Sequence, residues 1–324
     1  MFMVELFLSE ATVTSIGLRI IRSLFRMADP IAPRLAGRIA FELFCRTAKP
    51  TRVSPKEAEV ISRSRDFMSE ARHHRLRAGG DSVAAHEFRP ASGRWSGTVL
   101  VVHGWKSRTE HMRMLVEGFR AAGMRVIAID LPGHGASSGR RLNLANAVAS
   151  AQAADQWFGP FQAIVGHSFG GAVAVNAAVG SVRDVEKVRA DRLVLISAPS
   201  SMPMIFADFG RFLNLGPRTQ TAIAAIVERV AGQPLEAYAG QVQLAAHPLD
   251  TLVLHAADDK EVAPVHAEGY ARAGSHVRLA WVNGLGHRRV LADPSVVVQA
   301  VDFALGEAEV TVQPSQTPIA SRWR

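Results

Sequence analysis

The sequence predicts an α/β domain: a mostly parallel, doubly wound sheet with helices on both faces. Three observations predict it. From Asp81 onward, short apolar runs alternate with stretches of helical length and period. Those runs are continuous, as in Thr98-Val-Leu-Val-Val, which a strand covered on both faces requires. One of them, Phe161-Gln-Ala-Ile-Val, passes through Gly166-His167-Ser168-Phe169-Gly170 into a helix of small residues, a strand–turn–helix unit. A chain of 324 residues, 48% hydrophobic and 20% charged, can bury a full core.

Ahead of that domain, residues 1–80 read as a helical extension. Residues 1–27 are apolar, but Glu5, Glu10, Arg19, Arg22 and Arg26 interrupt any charge-free run that would span a bilayer. Glu5 precedes the apolar stretch and no small-residue cleavage site follows it, which argues against a secretory signal. Arg19, Arg22 and Arg26 recur at helical spacing opposite Ile20, Ile21, Leu24 and Phe25, the pattern of an amphipathic basic helix. Two readings follow. The helix packs on the body with its arginines in water, or residues 1–50 make a peripheral contact with an anionic membrane surface. A second helix is expected over about 34–46. A third is expected from Ser54, an N-cap, with Pro55 at the first helical position, reaching about Arg77 before Gly79-Gly80 stops it. His73 and His74 read as an exposed polar pair without metal-ligand partners.

Residues 81–306 are expected to form the α/β domain. An edge strand is expected over 83–89, then a buried strand at 98–103, a helix over 109–122, a strand at 125–130 and a turn-rich loop, Leu131-Pro-Gly-His-Gly-Ala-Ser137. A helix over 144–158 leads into the strand before Ser168. Further strands are expected at 192–197, 251–255 and 277–282, with helices over 263–273 and 295–305. The interval 201–246 breaks the alternation. It holds no clear strand, is rich in Met and Phe, and is read as a lid insertion with helices near 203–213 and 217–231. Residues 307–324, polar and containing Pro314 and Pro318, read as a C-terminal tail.

The chemistry centres on Ser168. A serine hydroxyl is a weak nucleophile until a base takes its proton and a third group orients the base. On a sheet of this kind the acid follows the serine in the chain and the histidine follows the acid. After Ser168 come Asp258-Asp259, just past one expected strand, and then Asn283-Gly-Leu-Gly-His287, just past the next. All three sites therefore fall on the carboxyl edge of the sheet, where ligands of open α/β sheets collect. Either aspartate reaches His287 on this reading.

With these pieces assembled, the chain resembles the α/β-hydrolase superfamily. The matching stretches are His103-Gly104-Trp105 after a strand, Asp130-Leu-Pro-Gly-His134-Gly-Ala-Ser137, Gly166-His167-Ser168-Phe169-Gly170, the Asp259 loop and Gly286-His287, together covering about 83–305. The family's acid loop commonly reads G-x-x-D-x-x-V-P. Here Ala256 stands for the glycine, Asp259 falls on the acid, Val262 matches and Pro264 comes one residue late. The resemblance therefore favours Asp259 over Asp258. It implies a serine hydrolase with Ser168 as nucleophile, His287 as base and Asp259 as its orienting acid, and with the backbone N–H groups of Trp105 and Phe169 as an oxyanion hole. It implies no cofactor. A serine at the elbow sets the chain apart from branches with an aspartate nucleophile, the dehalogenases and epoxide hydrolases. The Trp105 side chain either walls an acyl pocket or packs on the lid.

The expected substrate is a small carboxylic ester with an apolar acyl group. An aminopeptidase or thioesterase on the same residues is the nearest alternative, and a non-catalytic ligand-binding protein on the same fold is the other. No pair of histidines has metal-ligand spacing and no glycine-rich dinucleotide fingerprint appears, so no metal site is expected. Residues 1–80 carry 14 Lys and Arg against 8 Asp and Glu, while the rest carries 23 against 21, so the basic excess belongs to the N-terminal quarter. No nucleic-acid recognition motif accompanies it. The single cysteine, Cys45, sits in an apolar run and reads as a core residue, which excludes a disulfide framework. The expected location is cytoplasmic, either free or on the inner surface of a membrane.

Overall fold

A computed structural model of the protein describes residues 15–47 and 53–307. Its centre is an eight-stranded sheet in the order β1-β2-β4-β3-β5-β6-β7-β8. β1 (Arg72–Ala78) and β2 (Asp81–Phe88) form an antiparallel hairpin, and β2 pairs antiparallel with β4 (Arg125–Ile129). From β4 the sheet is parallel through β3 (Thr98–Val102), β5 (Phe161–His167), β6 (Ala190–Ile196), β7 (Asp250–His255) and β8 (Val277–Trp281). The chain leaves β3 for β4 on one side and returns to β5 on the other. Strand order thus reverses between β3 and β5, which opens a crevice at their carboxyl ends.

The continuous apolar strands are explained by two cores, one on each face. In β3, Leu100 and Val102 enter one core and Val99 and Val101 the other, and all four are buried. The second core is covered by α5 (Arg113–Ala121), reached through a 3₁₀ turn at Thr109–Met112, and by α13 (Pro294–Leu305). Pro294 opens α13 and the Asp293 carboxylate accepts from the Ser295 and Val296 amides, capping the orphan donors. The first core is covered by α6 (Leu144–Phe158) and α7 (Phe169–Val179). α6 starts in a reciprocal capping box between Asn143 and Asn146.

Above the first core lies a cap made from two distant parts of the chain. The N-terminal part is α1 (Ser15–Ile31) and α2 (Pro33–Cys45); α3 (Pro55–Arg63) and α4 (Arg65–Ser69) follow outside the cap, and Phe67 of α4 enters the second core. The insertion supplies α8 (Met202–Leu213), α9 (Pro217–Ala231) and a further helix, α10 (Gly240–Ala246). Two more helices, α11 (Val265–Ala271) and α12 (Gly286–Arg289), belong to the acid and histidine loops. In the cap, the Phe44 ring lies tilted against Phe206 at 4.5 Å between ring centroids and meets Phe209 edge-on at 5.1 Å. Thr219 donates its backbone N–H to Asp29 at 2.7 Å, and Arg22 donates to the Phe212 carbonyl at 2.6 Å. α1 and α2 are therefore part of the same apolar core as the lid. Phe44→Ala is expected to cost about 3–4 kcal/mol, in a single unfolding transition by urea with circular dichroism. An early separate transition of the N-terminal helices would contradict this.

The alternating pattern and the parallel sheet appear as expected; apart from the extra helix α10 in the insertion, the main differences lie before residue 90. The third helix ends at Ser69 instead of reaching Arg77, and β1 follows it. Only Leu76 and Ala78 of β1 face inward, so its two-residue period was too short to distinguish from helix. Gly79-Gly80 is a two-residue hairpin turn, with Ala78 opposite Asp81, and not a helix stop. The strand expected at the edge, β2, is therefore second in the sheet. The boundary expected at 80/81 falls inside this hairpin. His73 is exposed and His74 half-buried, and both reach back to β2: His73 Nδ1 lies 2.8 Å from His86 Nδ1, and His74 Nε2 lies 3.2 Å from Glu87. The apolar residues 2–13 and the tail expected at 307–324 lie outside the described residues, apart from Glu307.

Candidate active site

Ser168 stands at the turn from β5 to α7 with φ 54° and ψ −128°, a conformation side chains rarely adopt. Close packing dictates it. A Cβ at Gly166 would lie 2.3 Å from the Gly170 carbonyl oxygen, and one at Gly170 would lie 2.2 Å from that of Val102. The turn is pressed against the end of β3, where Val102 and Gly166 are register partners. The Ser168 N–H is held by the Ile196 carbonyl at 2.9 Å, which ties the turn to β6. The hydroxyl is left half-buried at the crevice between β3 and β5.

The loop after β3 comes up against it. A Cβ on Gly104 would stand 2.7 Å from Ser168 Cβ, so the two residues touch. Two buried histidines hold this loop. His103 donates from Nδ1 to the Gly104 carbonyl at 2.7 Å and accepts the Leu131 N–H at Nε2 at 3.0 Å. His134 donates from Nδ1 to the Pro132 carbonyl and accepts the Lys106 N–H at Nε2, each at 3.0 Å. Burial lowers both imidazoles to about 4, so both rings are neutral near pH 7, as accepting at Nε2 requires. A peptide unit is planar and trans, so holding the Gly104 carbonyl also sets the direction of the Trp105 N–H. The Phe169 N–H opens α7, where no intrahelical acceptor exists. The Trp105 ring is buried and packs on Phe169 at 5.5 Å and on Phe44 of α2 at 6.0 Å. The Trp105 ring thus meets the cap at the N-terminal helix α2.

Asp130 anchors the loops behind this arrangement. It is 1% exposed and accepts from Thr109 N at 3.0 Å, Thr109 Oγ1 at 2.9 Å, Ala136 N at 2.8 Å and His86 Nε2 at 3.1 Å. Burial raises its pKa, but the His86 hydrogen bond, the nearby His86 and His103 and the Ala136 N–H outweigh that and hold the carboxyl well below the usual range. A lowered folded-state pKa contributes stability that is present above the unfolded value, about 3.9, and lost as pH falls below it. Asp130→Ala is expected to cost about 3 kcal/mol or more by leaving buried donors unmatched. In urea titrations between pH 6 and 3, the wild type should lose more stability than the Asp130→Ala variant.

On the far side of Ser168, Asp259 and His287 come together. His287 Nδ1 lies 2.8 Å from Asp259 Oδ2, while Asp259 Oδ1 accepts the Glu261 and Val262 amides at 2.8 and 2.9 Å. Burial raises the Asp259 carboxyl, and the His287 hydrogen bond and charge with the two amides outweigh it, so its pKa is lowered. Asp258 faces solvent and accepts the Gly284 N–H at 2.9 Å, joining the acid loop to the histidine loop. The neighbour of Asp259 on β7, His255, has Nε2 3.9 Å from its carboxylate but donates to the Val262 carbonyl at 3.0 Å.

His287 is buried beside the turn. His167 donates from Nε2 to the His287 carbonyl at 2.8 Å, and the two rings lie 4.8 Å apart. Burial lowers His167 to about 3, so it is neutral near pH 7. Among the described residues, the Ser168 hydroxyl and the His287 ring share no hydrogen bond; Nε2 of His287 lies 3.8 Å from Glu261, itself paired with Arg288 at 3.0 Å. A serine at a strained turn, backbone amides beside it and an Asp–His pair on the same edge are groups that can serve acyl transfer.

A pocket opens beside Phe169. Its wall includes Phe41 and Phe44 of α2, Met202 and Phe206 of α8, and Val227 and Val230 of α9. The contribution of α2 is the functional feature that motif reading misses. Its only signal in the sequence is the helical spacing of Ala36, Ala40, Phe41 and Phe44, which marks a buried face but not what the face covers. Among the described residues no group of His, Cys, Asp and Glu has the arrangement of a metal site.

Residues 99–300 match the sequence model of the alpha/beta hydrolase family. No curated protein matches the chain. Solved structures do. A putative lipase from Acinetobacter baumannii superposes with a TM-score of 0.55 at 18% identity, over 78% of this chain and 97% of the lipase. Est1E from Butyrivibrio proteoclasticus, solved with ferulic acid bound, gives 0.57 at 16% identity, over 72% of this chain and 98% of Est1E. A bacterial membrane phospholipase A described as a virulence factor gives 0.54 at 18% identity, over 77% of this chain and 91% of its own.

Proposed function

This chain belongs to the alpha/beta hydrolase family, and from that premise we propose that it is a serine hydrolase cleaving carboxylic esters with an apolar acyl group. The observation that carries the reading is the Asp259–His287 hydrogen bond of 2.8 Å on the sheet edge where Ser168 stands at its strained turn. Ser168 Oγ attacks the ester carbonyl carbon and passes its proton to Nε2 of His287. Asp259 accepts from Nδ1–H and stabilises the imidazolium. The amides of Trp105 and Phe169 receive the alkoxide, each lowering the barrier by about 3 kcal/mol. Collapse expels the alcohol, which takes the proton from His287. Water then attacks the acyl group on Ser168, giving its proton to His287, and the acid leaves as the serine is reprotonated. The hydrogen bond from Ser168 to His287 closes as substrate seats, a tightening common in such sites.

The apolar wall of the pocket supports the acyl preference. Phe41, Phe44 and Phe206 offer no hydrogen-bonding group to a polar acyl chain. A panel of p-nitrophenyl esters of increasing acyl length, run beside acyl thioesters and aminoacyl p-nitroanilides, tests this. Turnover of esters well above both other classes, with kcat/KM rising from acetyl to medium chains, is expected. Turnover of the anilides alone would replace the reading with a peptidase.

A further inference from the structure

We propose that the outer face of α1 and α2 docks the protein on an anionic phospholipid bilayer. α1 has two apolar faces. The inner one, with Leu18, Ile21 and Phe25, packs into the core beneath the cap. On the outer one, Ile16, Ile20, Leu24, Met27 and Ile31 fall within about 80° of arc at the α-helical period. Leu35 and Ile39 of α2 continue the ridge, and the seven side chains are 48–82% exposed. Single exposed aliphatics are ordinary, but a ridge along two consecutive helices marks a surface that meets something apolar.

The charges beside the ridge select the occupant. Arg19, Arg26, Arg34 and Arg38 are exposed, and among the described residues none makes an ion pair. The acidic residues of these helices are engaged elsewhere. Asp29 points at α9, where it accepts the Thr219 amide, and Glu42 pairs with Arg141 at 2.7 Å. A second copy joined by a two-fold axis through this face would bring the same four guanidiniums toward four more. An anionic bilayer satisfies both features. Aliphatic side chains enter the acyl boundary while guanidiniums meet phosphates. α2 also carries Phe41 and Phe44 on its inner side, so docking would set a wall of the pocket against the lipid. Binding is read without substrate, so it succeeds or fails independently of the hydrolytic reading.

Flotation of the full chain with phosphatidylcholine vesicles, with and without phosphatidylglycerol, tests the proposal. The protein should float with the anionic vesicles only, and less at high salt. Ile20→Glu/Leu24→Glu should weaken binding at least about tenfold, and Arg19→Gln/Arg26→Gln about fivefold per arginine, with far-UV circular dichroism unchanged. If the ridge variant misfolds, the arginine variant decides: weakened flotation supports the proposal and unchanged flotation overturns it. Failure of the wild type to float would overturn it, as would equal flotation of a folded ridge variant. A wild-type dimer by sedimentation that the ridge variant converts to monomer would assign the face to a second copy instead.

Discussion

Ser168→Ala is expected to lower kcat on a short p-nitrophenyl ester by about 10⁵- to 10⁶-fold, with no loss of folded structure. The size follows from the role. Without Oγ there is no covalent intermediate, and the residual rate over water comes from oxyanion donors and binding alone. A second substitution separates chemistry from conformation. Ser168 pays for its place at the turn with φ 54°, and Ser168→Gly removes that strain at a site glycine tolerates. The glycine variant should be as inactive as the alanine variant, yet more stable than the wild type by about 1 kcal/mol in urea unfolding. A glycine variant that is less stable would mean that the turn is not strained in solution.

Asp259→Asn should lower kcat by about 10⁴-fold, while Asp258→Asn should leave it within about threefold. The contrast is large because the two adjacent carboxylates do different things. Asp259 is buried and bonded to His287 Nδ1, so an amide there holds the ring in the wrong tautomer or loses the bond. Asp258 faces solvent and, among the described residues, accepts one hydrogen bond, from the Gly284 N–H, a contact the asparagine carbonyl can keep. Steady-state kinetics on one ester with both variants decides between them. Equal losses would mean that joining the acid and histidine loops matters as much as orienting the ring.

The reason some of this was legible in the sequence is physical. Strands β3 to β7 are covered on both faces, so each appears as an unbroken apolar run. Gly166 and Gly170 stand where two backbones meet, and no other residue fits there. Asp258-Asp259 and His287 follow two such strands, so their edge of the sheet could be inferred from order alone. What could not be inferred depends on partners far away in the chain. β1 has only Leu76 and Ala78 to mark its inner face, and it is a strand because β2 pairs with it. α10 carries too short a pattern to stand out in the insertion. Phe41 and Phe44 advertise a buried face, but that they line a pocket beside Phe169 depends on α8 and α9, more than 150 residues later. The helical pattern of residues 15–31 shows apolar and basic faces. That the helix packs by one apolar side and exposes another emerges only with the cap in place.

The central claim is that Ser168 is the nucleophile of this site, and its most direct test is labelling with a fluorophosphonate, whose phosphorus accepts an activated serine oxygen and loses fluoride. Intact-protein and peptide mass spectrometry should find one phosphonyl adduct, on the peptide carrying Ser168, with labelling lost in Ser168→Ala and slowed in Asp259→Asn. A folded wild type that stays unlabelled, or an adduct that persists in Ser168→Ala, would contradict the claim.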